Sequence, residues 1–260
     1  MGGHVPADTD AVRMAQSRRK WQFPMSPNEE TGFTPTNTPF DETKYAVPYE
    51  VQRVALLESL IPTGNGANAI DLGCGPGHFS RVLTTRGWRT TAVDTDSSNI
   101  ALAGAHAAET RLGDALSVLA TLPAAHFELA IAFEIIEHMP LALGTELVTE
   151  IARVLKPGGR LLISTPNRHS PEGLGGYYWG EKLRKRGRWT AWDKTHVHIY
   201  SSREILQLLA ASGLTVMGTT GYHYEGHLPV IGKWKLPLQQ SRRFPLNRFG
   251  FNVVVECRRP

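Results

Sequence analysis

Several short stretches carry residue types and spacings that could do chemistry. In "AIDLGCGPGHFSRVL", residues 69 to 83, Asp71 opens a turn that contains Gly73, Gly75 and Gly77. Glycine has no Cβ and tolerates positive φ, so three of them at alternate positions let a backbone turn close on a ligand. Asp94 in "AVDTD" ends the second predicted strand and Asp114 in "LGDAL" the third. A carboxylate so placed accepts hydrogen bonds from a ligand, or caps the helix that follows. "FEIIEHM" carries Glu134, Glu137 and His138, and "THVHIYS" carries His196 and His198. Imidazole titrates near neutral pH and takes protons. Imidazole nitrogens and carboxylate oxygens together are also a donor set for a divalent cation.

Such groups act only where rigid elements hold them, and the chain supplies a regular alternation. Residues 1–45 are polar and rich in Pro and Thr, which predicts a partly disordered N-terminal arm. "YEVQRVALLESLI" places Val51, Val54, Leu57 and Ile61 at helical spacing before Pro62. Strand "ANAIDLG", helix "GHFSRVLTTRG", strand "WRTTAVDTD" and helix "SSNIALAGAHA" follow. Next come "ETRLGDA", strand "FELAIAFE", helix "LGTELVTEIARVL", the turn "KPGG" and strand "RLLISTP". Helix "SREILQLLAASG", strand "LTVMGTT" and "FNVVVECRR" close the chain. Apolar strands separated by helices mean βαβ units, hence an α/β, doubly wound, Rossmann-like sheet over residues 46–260. Residues 167–195 and 222–249, the latter with Pro229, Pro237 and Pro245, interrupt the alternation. Insertions of this size predict lids or substrate loops.

Composition bounds the partners. A chain of 260 residues suits one large domain with decorations. A net charge of +4 is too mild to point to nucleic acid. Two cysteines, Cys74 and Cys257, exclude a disulfide framework and fit a reducing, cytoplasmic setting. No run approaches the roughly 18 apolar residues of a membrane span. The opening residues lack the apolar core of a secretory signal, and Pro6 spoils a myristoylation pattern at Gly2.

The turn at Asp71 narrows the ligand. A dinucleotide fingerprint places its third glycine three residues after its second, where this chain has His78. That disfavours a nicotinamide-dependent oxidoreductase. A carboxylate opening the turn sits badly beside a pyrophosphate and well beside a ligand carrying an ammonium and a sulfonium. S-adenosylmethionine (SAM) has both. Asp94 would then accept the two ribose hydroxyls, Asp114 the adenine amino group, and Ala115 and Leu116 would lie against the ring.

With "AIDLGCGPG", "AVDTD", "GDA", "FELAIAFEIIEHM" and "VLKPGGRLLISTPN" in order, residues 48–220 resemble the class I SAM-dependent methyltransferases. The likeness is strongest to the branch of ubiquinone-biosynthesis O-methyltransferases and other small-molecule methyltransferases. It implies a seven-stranded sheet of order 3-2-1-4-5-7-6 whose last strand is antiparallel. It also implies methyl transfer to a hydroxyl of a small quinone, sugar or natural product. His138 or His196 would be the general base, and Glu134 a catalytic or cofactor-fixing group.

Glu134, Glu137, His138 and His196 also match the ion-binding pattern of methyltransferases that act on the 3′ end of small RNAs, which makes RNA 2′-O-methylation an alternative. "HIYSS" stands where those enzymes carry a phenylalanine-glutamate-tryptophan stretch, which disfavours nucleic acid. A non-catalytic subunit of the same fold is another alternative.

Two stretches bear on the acceptor. Lys182, Arg184, Lys185, Arg186 and Arg188 lie among Tyr177, Tyr178, Trp179, Trp189 and Trp192. They suit an anionic acceptor, or form a solvated basic helix over packed aromatics. "KWKLPLQQSRRFPL" reads as a hydrophobic lid in preference to a peripheral membrane contact.

Overall fold

The computed structural model describes residues 48–183, 187, 190–191, 193–222 and 240–260. The N-terminal arm, Arg184, Lys185, Arg186, Arg188, Trp189, Trp192, Pro229, Pro237 and the side chains of Tyr178 and Trp179 lie outside the described residues.

Helix α1 (Pro48–Leu60) leads to β1 (Asn68–Leu72), α2 (His78–Thr85), β2 (Arg89–Asp94), α3 (Ser97–Ala103) and β3 (Glu109–Leu112). Then come α4 (Ala115–Thr121), β4 (Phe127–Phe133), a 3-10 turn (Ile136–His138), α5 (Leu141–Val154) and β5 (Leu155–Pro166). A single helical turn (Pro171–Gly173) runs into a π-helical segment (Leu174–Leu183). The rest is α6 (Ser202–Ala211), β6 (Thr215–Tyr222), β7 (Gln240–Ser241), a 3-10 turn (Leu246–Arg248) and β8 (Asn252–Arg258).

The strands form one sheet of order β3-β2-β1-β4-β5-β8-β6-β7. Strands β1 to β5 run parallel, and β8 inserts antiparallel between β5 and β6. The seven-strand expectation is corrected to eight. The extra strand, β7, is a two-residue piece of the second insertion that pairs with β6 at the sheet edge.

Alternation along the strands sorts side chains into two layers. On one face Ile70 and Leu72 of β1 pack with Leu147, Ile151 and Leu208 of α5 and α6. On the other, Ala69 packs with Leu57 and Leu83 of α1 and α2. Leu57, Leu83 and Leu129 are fully buried, and burying such a side chain contributes about 1.5–3 kcal/mol. Asp71 therefore points with Ala69 toward α1 and α2, into a buried layer.

Two local readings change. The predicted turn "KPGG" is a bulge inside β5: Gly158 has φ +79°, and the β4–β5 register shifts between Phe127 and Leu129. Helix α4, absent from the sequence reading, is only seven residues long and is capped by the Asp114 side chain. Among the described residues, no helix is long and apolar enough to cross a membrane.

Candidate active site

The carboxyl ends of β1, β2 and β3 carry the predicted cofactor residues. Gly73, Gly75 and Gly77 all take positive φ, at 69°, 53° and 93°. The amides of Gly73 and Cys74 both donate to the Val93 carbonyl at 2.9 Å, which ties the turn to β2. The three glycines differ in what surrounds them. A Cβ at Gly77 would lie 2.7 Å from Ala103 Cα, and one at Gly73 3.2 Å from Ile135 Cδ1. At Gly75 it would meet nothing within 4 Å. The turn is thus packed at its ends and open in the middle, as a ligand cradle requires. His78, standing where a dinucleotide turn has glycine, is 2.8 Å from Glu58 Oε1 through Nε2.

Asp94 is held by its surroundings. Its Oδ2 accepts the Gly75 amide at 2.8 Å, and Oδ1 accepts the Asp96 amide at 2.9 Å and Asn99 Nδ2 at 3.3 Å. The cap of α3 is Asp96, which accepts from Ser98, so Asp94 is not consumed by capping. Asp114 does cap: its Oδ1 accepts the Ser117 amide at 2.9 Å. Ala115 is buried, and Leu116 packs partly against the main core. Asp71 accepts from Ser80 Oγ at 2.7 Å. Burial, opposed by that hydrogen bond and aided by the Asp94 charge, pushes the Asp71 carboxyl up to about 7.

The second cluster lies past the end of β4. Glu134 takes φ +54°, a conformation that a residue with a Cβ adopts at a cost of about 1–3 kcal/mol. Its carboxylate is clamped from the neighbouring strands, accepting from Ser164 Oγ of β5 and Asn252 Nδ2 of β8, both at 2.6 Å. The 3-10 turn then buries Glu137 completely. Thr165 Oγ1 donates to Glu137 Oε2 at 3.1 Å, while Oε1 has no hydrogen-bond partner among the described residues and lies 3.9 Å from His196 Nε2. Burial, then the Glu134 charge, holds Glu137 well above the usual carboxylate range.

The Glu137 carbonyl accepts the amides of Val197 and His198 at 2.7 and 3.0 Å, which pins the histidine loop against the turn. The His138 and His196 rings meet edge to face, with centroids 4.8 Å apart. Burial and the neighbouring His196 hold the His138 imidazole below its ordinary range. His196 Nδ1 is 2.8 Å from the Thr190 carbonyl. A carbonyl only accepts, so Nδ1 carries a proton, and Nε2 lies 3.9 Å from both Glu137 Oε1 and Asp193 Oδ2. Glu137, His138 and His196 each offer a donor atom within 4.8 Å of the others.

Comparison with known proteins places the chain. A methyltransferase domain family matches residues 44–218, more than half of the chain. The chain belongs to the class I SAM-dependent methyltransferases. This methyltransferase is 28% identical over 180 residues to the ubiquinone biosynthesis O-methyltransferase of Vibrio parahaemolyticus, a match covering 66% of this chain and 72% of that one. It is 31% identical over 183 residues to the protein of the same name from Coxiella burnetii, covering 66% and 73%. The fold is shared with a SAM-dependent methyltransferase from Archaeoglobus fulgidus at a TM-score of 0.60 and 18% identity, covering 84% and 97%.

Of the predicted ion set, Glu137, His138 and His196 come together in the methyltransferase. Glu134 stands outside that trio, because the segment from Glu134 to His138 is not one continuous helix. It is a strand end at positive φ followed by one 3-10 turn. Sequence reasoning missed Ser80, Asn99, Ser164, Thr165 and Asn252. All are short polar side chains brought to their partners by strand pairing or by the docking of a helix on the sheet. Of the basic and aromatic insertion, Tyr177 is described with cations over its ring, Arg168 and Lys182, each 5.2 Å from its centroid.

Proposed function

We propose that this methyltransferase acts on a hydroxyl oxygen of a small molecule, with His138 as the general base and His196 and Glu137 shaping the pocket around it. The observation that carries this reading is the edge-to-face pair of His138 and His196 past the end of β4, where burial and the neighbouring ring hold the His138 imidazole below its ordinary range. Glu134 is also adjacent, fixed by Ser164 and Asn252. The names of the curated relatives, which specify O-methylation, support it.

SAM, when bound, supplies an electrophilic methyl group on a sulfonium. The residues at the turn hold its two polar ends: Asp71 suits the cationic portion, and Asp94 has acceptor capacity left for ribose hydroxyls. His138 takes the proton of the acceptor hydroxyl as the C–O bond forms and the C–S bond breaks. The products are a methyl ether and S-adenosylhomocysteine, and the proton passes from the imidazole to solvent. The protein's contribution is otherwise proximity and alignment.

A second reading, a divalent ion held by Glu137, His138 and His196, is favoured by the 4.8 Å grouping and the unpartnered Glu137 Oε1. Oxygen and nitrogen donors suit Mg²⁺, Mn²⁺ or Zn²⁺, and an ion there would lower the pKa of a bound hydroxyl.

The test is transfer of labelled methyl from SAM to a panel of phenols, catechols, sugars and a small RNA, with and without EDTA. The expected result is a labelled small-molecule ether, full activity in chelator, and a rate lowered at least about 100-fold in His138→Gln. Activity lost in EDTA and restored by Mg²⁺ or Mn²⁺ would select the ion. Label confined to the RNA would overturn the small-molecule reading.

A further inference from the structure

The loop that carries His196 also holds a hydrogen-bond chain reaching His138, built from Asp193 and Thr195, neither so far given a role. Thr195 Oγ1 is 2.6 Å from Asp193 Oδ1 and 3.1 Å from His138 Nδ1. The Thr195 amide also donates to Asp193 Oδ1, at 2.8 Å. A threonine hydroxyl has one hydrogen and two lone pairs, whereas an ionised carboxylate only accepts. Asp193 is exposed, and an exposed carboxyl is ionised at neutral pH, so it accepts from both the Thr195 hydroxyl and the Thr195 amide. The hydroxyl hydrogen therefore goes to Asp193, and Thr195 Oγ1 is left to accept from His138 Nδ1–H.

We infer that Asp193 and Thr195 are positioning residues that set the tautomer of His138, keeping its proton on Nδ1 and its lone pair on Nε2. This rests on the reading of His138 as the proton acceptor. The logic is that of a carboxylate orienting a catalytic imidazole, here through an intervening hydroxyl. It parallels the way the Thr190 carbonyl sets His196. The two devices belong to one turn, since the Asp193 amide donates to that same Thr190 carbonyl at 3.2 Å. The chain costs the fold little, since Asp193 and Thr195 are exposed and only their loop geometry is needed.

The experiment reads the tautomer directly. The full chain, labelled with ¹⁵N-histidine and dialysed against EDTA, is examined by two-bond ¹H–¹⁵N correlation at pH 8, with His138 assigned by its absence in His138→Gln. The expected pattern is Nδ1–H in the native protein and in Thr195→Ser, and an increase of the Nε2–H form in Thr195→Val and Asp193→Ala. A native protein with the proton on Nε2, or a Thr195→Val protein that keeps it on Nδ1, overturns the inference. Methyl-transfer assays separate this from the function it rests on. Thr195→Val should lower kcat about tenfold with KM for SAM unchanged, and Thr195→Ser should restore it. Activity that persists in His138→Gln would remove the base role, while the tautomer result would still stand or fall alone.

Discussion

Asp71 is a carboxyl group placed in a buried layer with one hydroxyl for company, and its cost can be followed with pH. In the unfolded chain it ionises near 3.8, and in the fold near 7. Between those values the folded protein keeps a proton that the unfolded chain has released. Its contribution to stability is therefore complete below pH 4 and is lost as pH rises toward 7. Three pH units correspond to about 4 kcal/mol. Asp71→Asn should accordingly raise the thermal midpoint of the cofactor-free protein at pH 8 and leave it almost unchanged at pH 4. In calorimetry, the native protein should bind SAM more tightly as pH rises through 7, because the ionised form is the one that attracts a cation, and Asp71→Asn should lose that dependence. A native affinity flat from pH 6 to 8 would refute this account. The acid's presence was legible in "AIDLG"; its partner Ser80 was not, because only the docking of α2 on β1 brings the two together.

At the scale of elements, the glycine turn is one loop with two different jobs. Gly77 is pressed against α3, and a side chain there would strike Ala103 backbone at 2.7 Å. Gly75 faces open space. Alanine at either position takes on left-handed strain of about 1–2 kcal/mol, but only Gly77→Ala adds overpacking of about 1–3 kcal/mol. Gly77→Ala should thus lower the midpoint of chemical denaturation the more. Gly75→Ala should fold nearly normally and lose affinity for S-adenosylhomocysteine. The reverse ranking in the two assays would mean that the turn is oriented otherwise. Elements of strong period, β1, β2, β4, α5 and α6, were readable because each has enough residues to show its repeat. Helix α4 was not, although Asp114 was read as a cap or a ligand group: its seven residues follow that cap directly and end at Leu122 without a glycine stop. The bulge at Gly158 was read as a turn because Pro-Gly-Gly breaks strands locally, while pairing of β5 with β4 on both sides of it carries the strand through.

Across the whole molecule, strand order decides what the chemistry can reach. Strands β1 and β4 are neighbours although α2, β2, α3, β3 and α4 separate them in sequence. The turn after β1 and the acidic and imidazole groups after β4 therefore open at the same edge of the sheet, at its switch point. The late return of β8 beside β5 then brings Asn252 to Glu134. That long-range closure is invisible to periodicity and explains why the acceptor side was less legible than the cofactor side. If the turn is a binding site on the folded state alone, ligand should stabilise the entire cooperative unit by mass action. S-adenosylhomocysteine at about 100 times its Kd should add about 2.7 kcal/mol. For a domain of this size that is a rise of roughly 5–10 °C in thermal midpoint. Asp94→Ala removes an acceptor and frees the amides of Gly75 and Asp96, so its midpoint should stay within about 1 °C over the same ligand range. An equal rise in both proteins would place the ligand elsewhere, and no rise in the native protein would contradict binding at the turn.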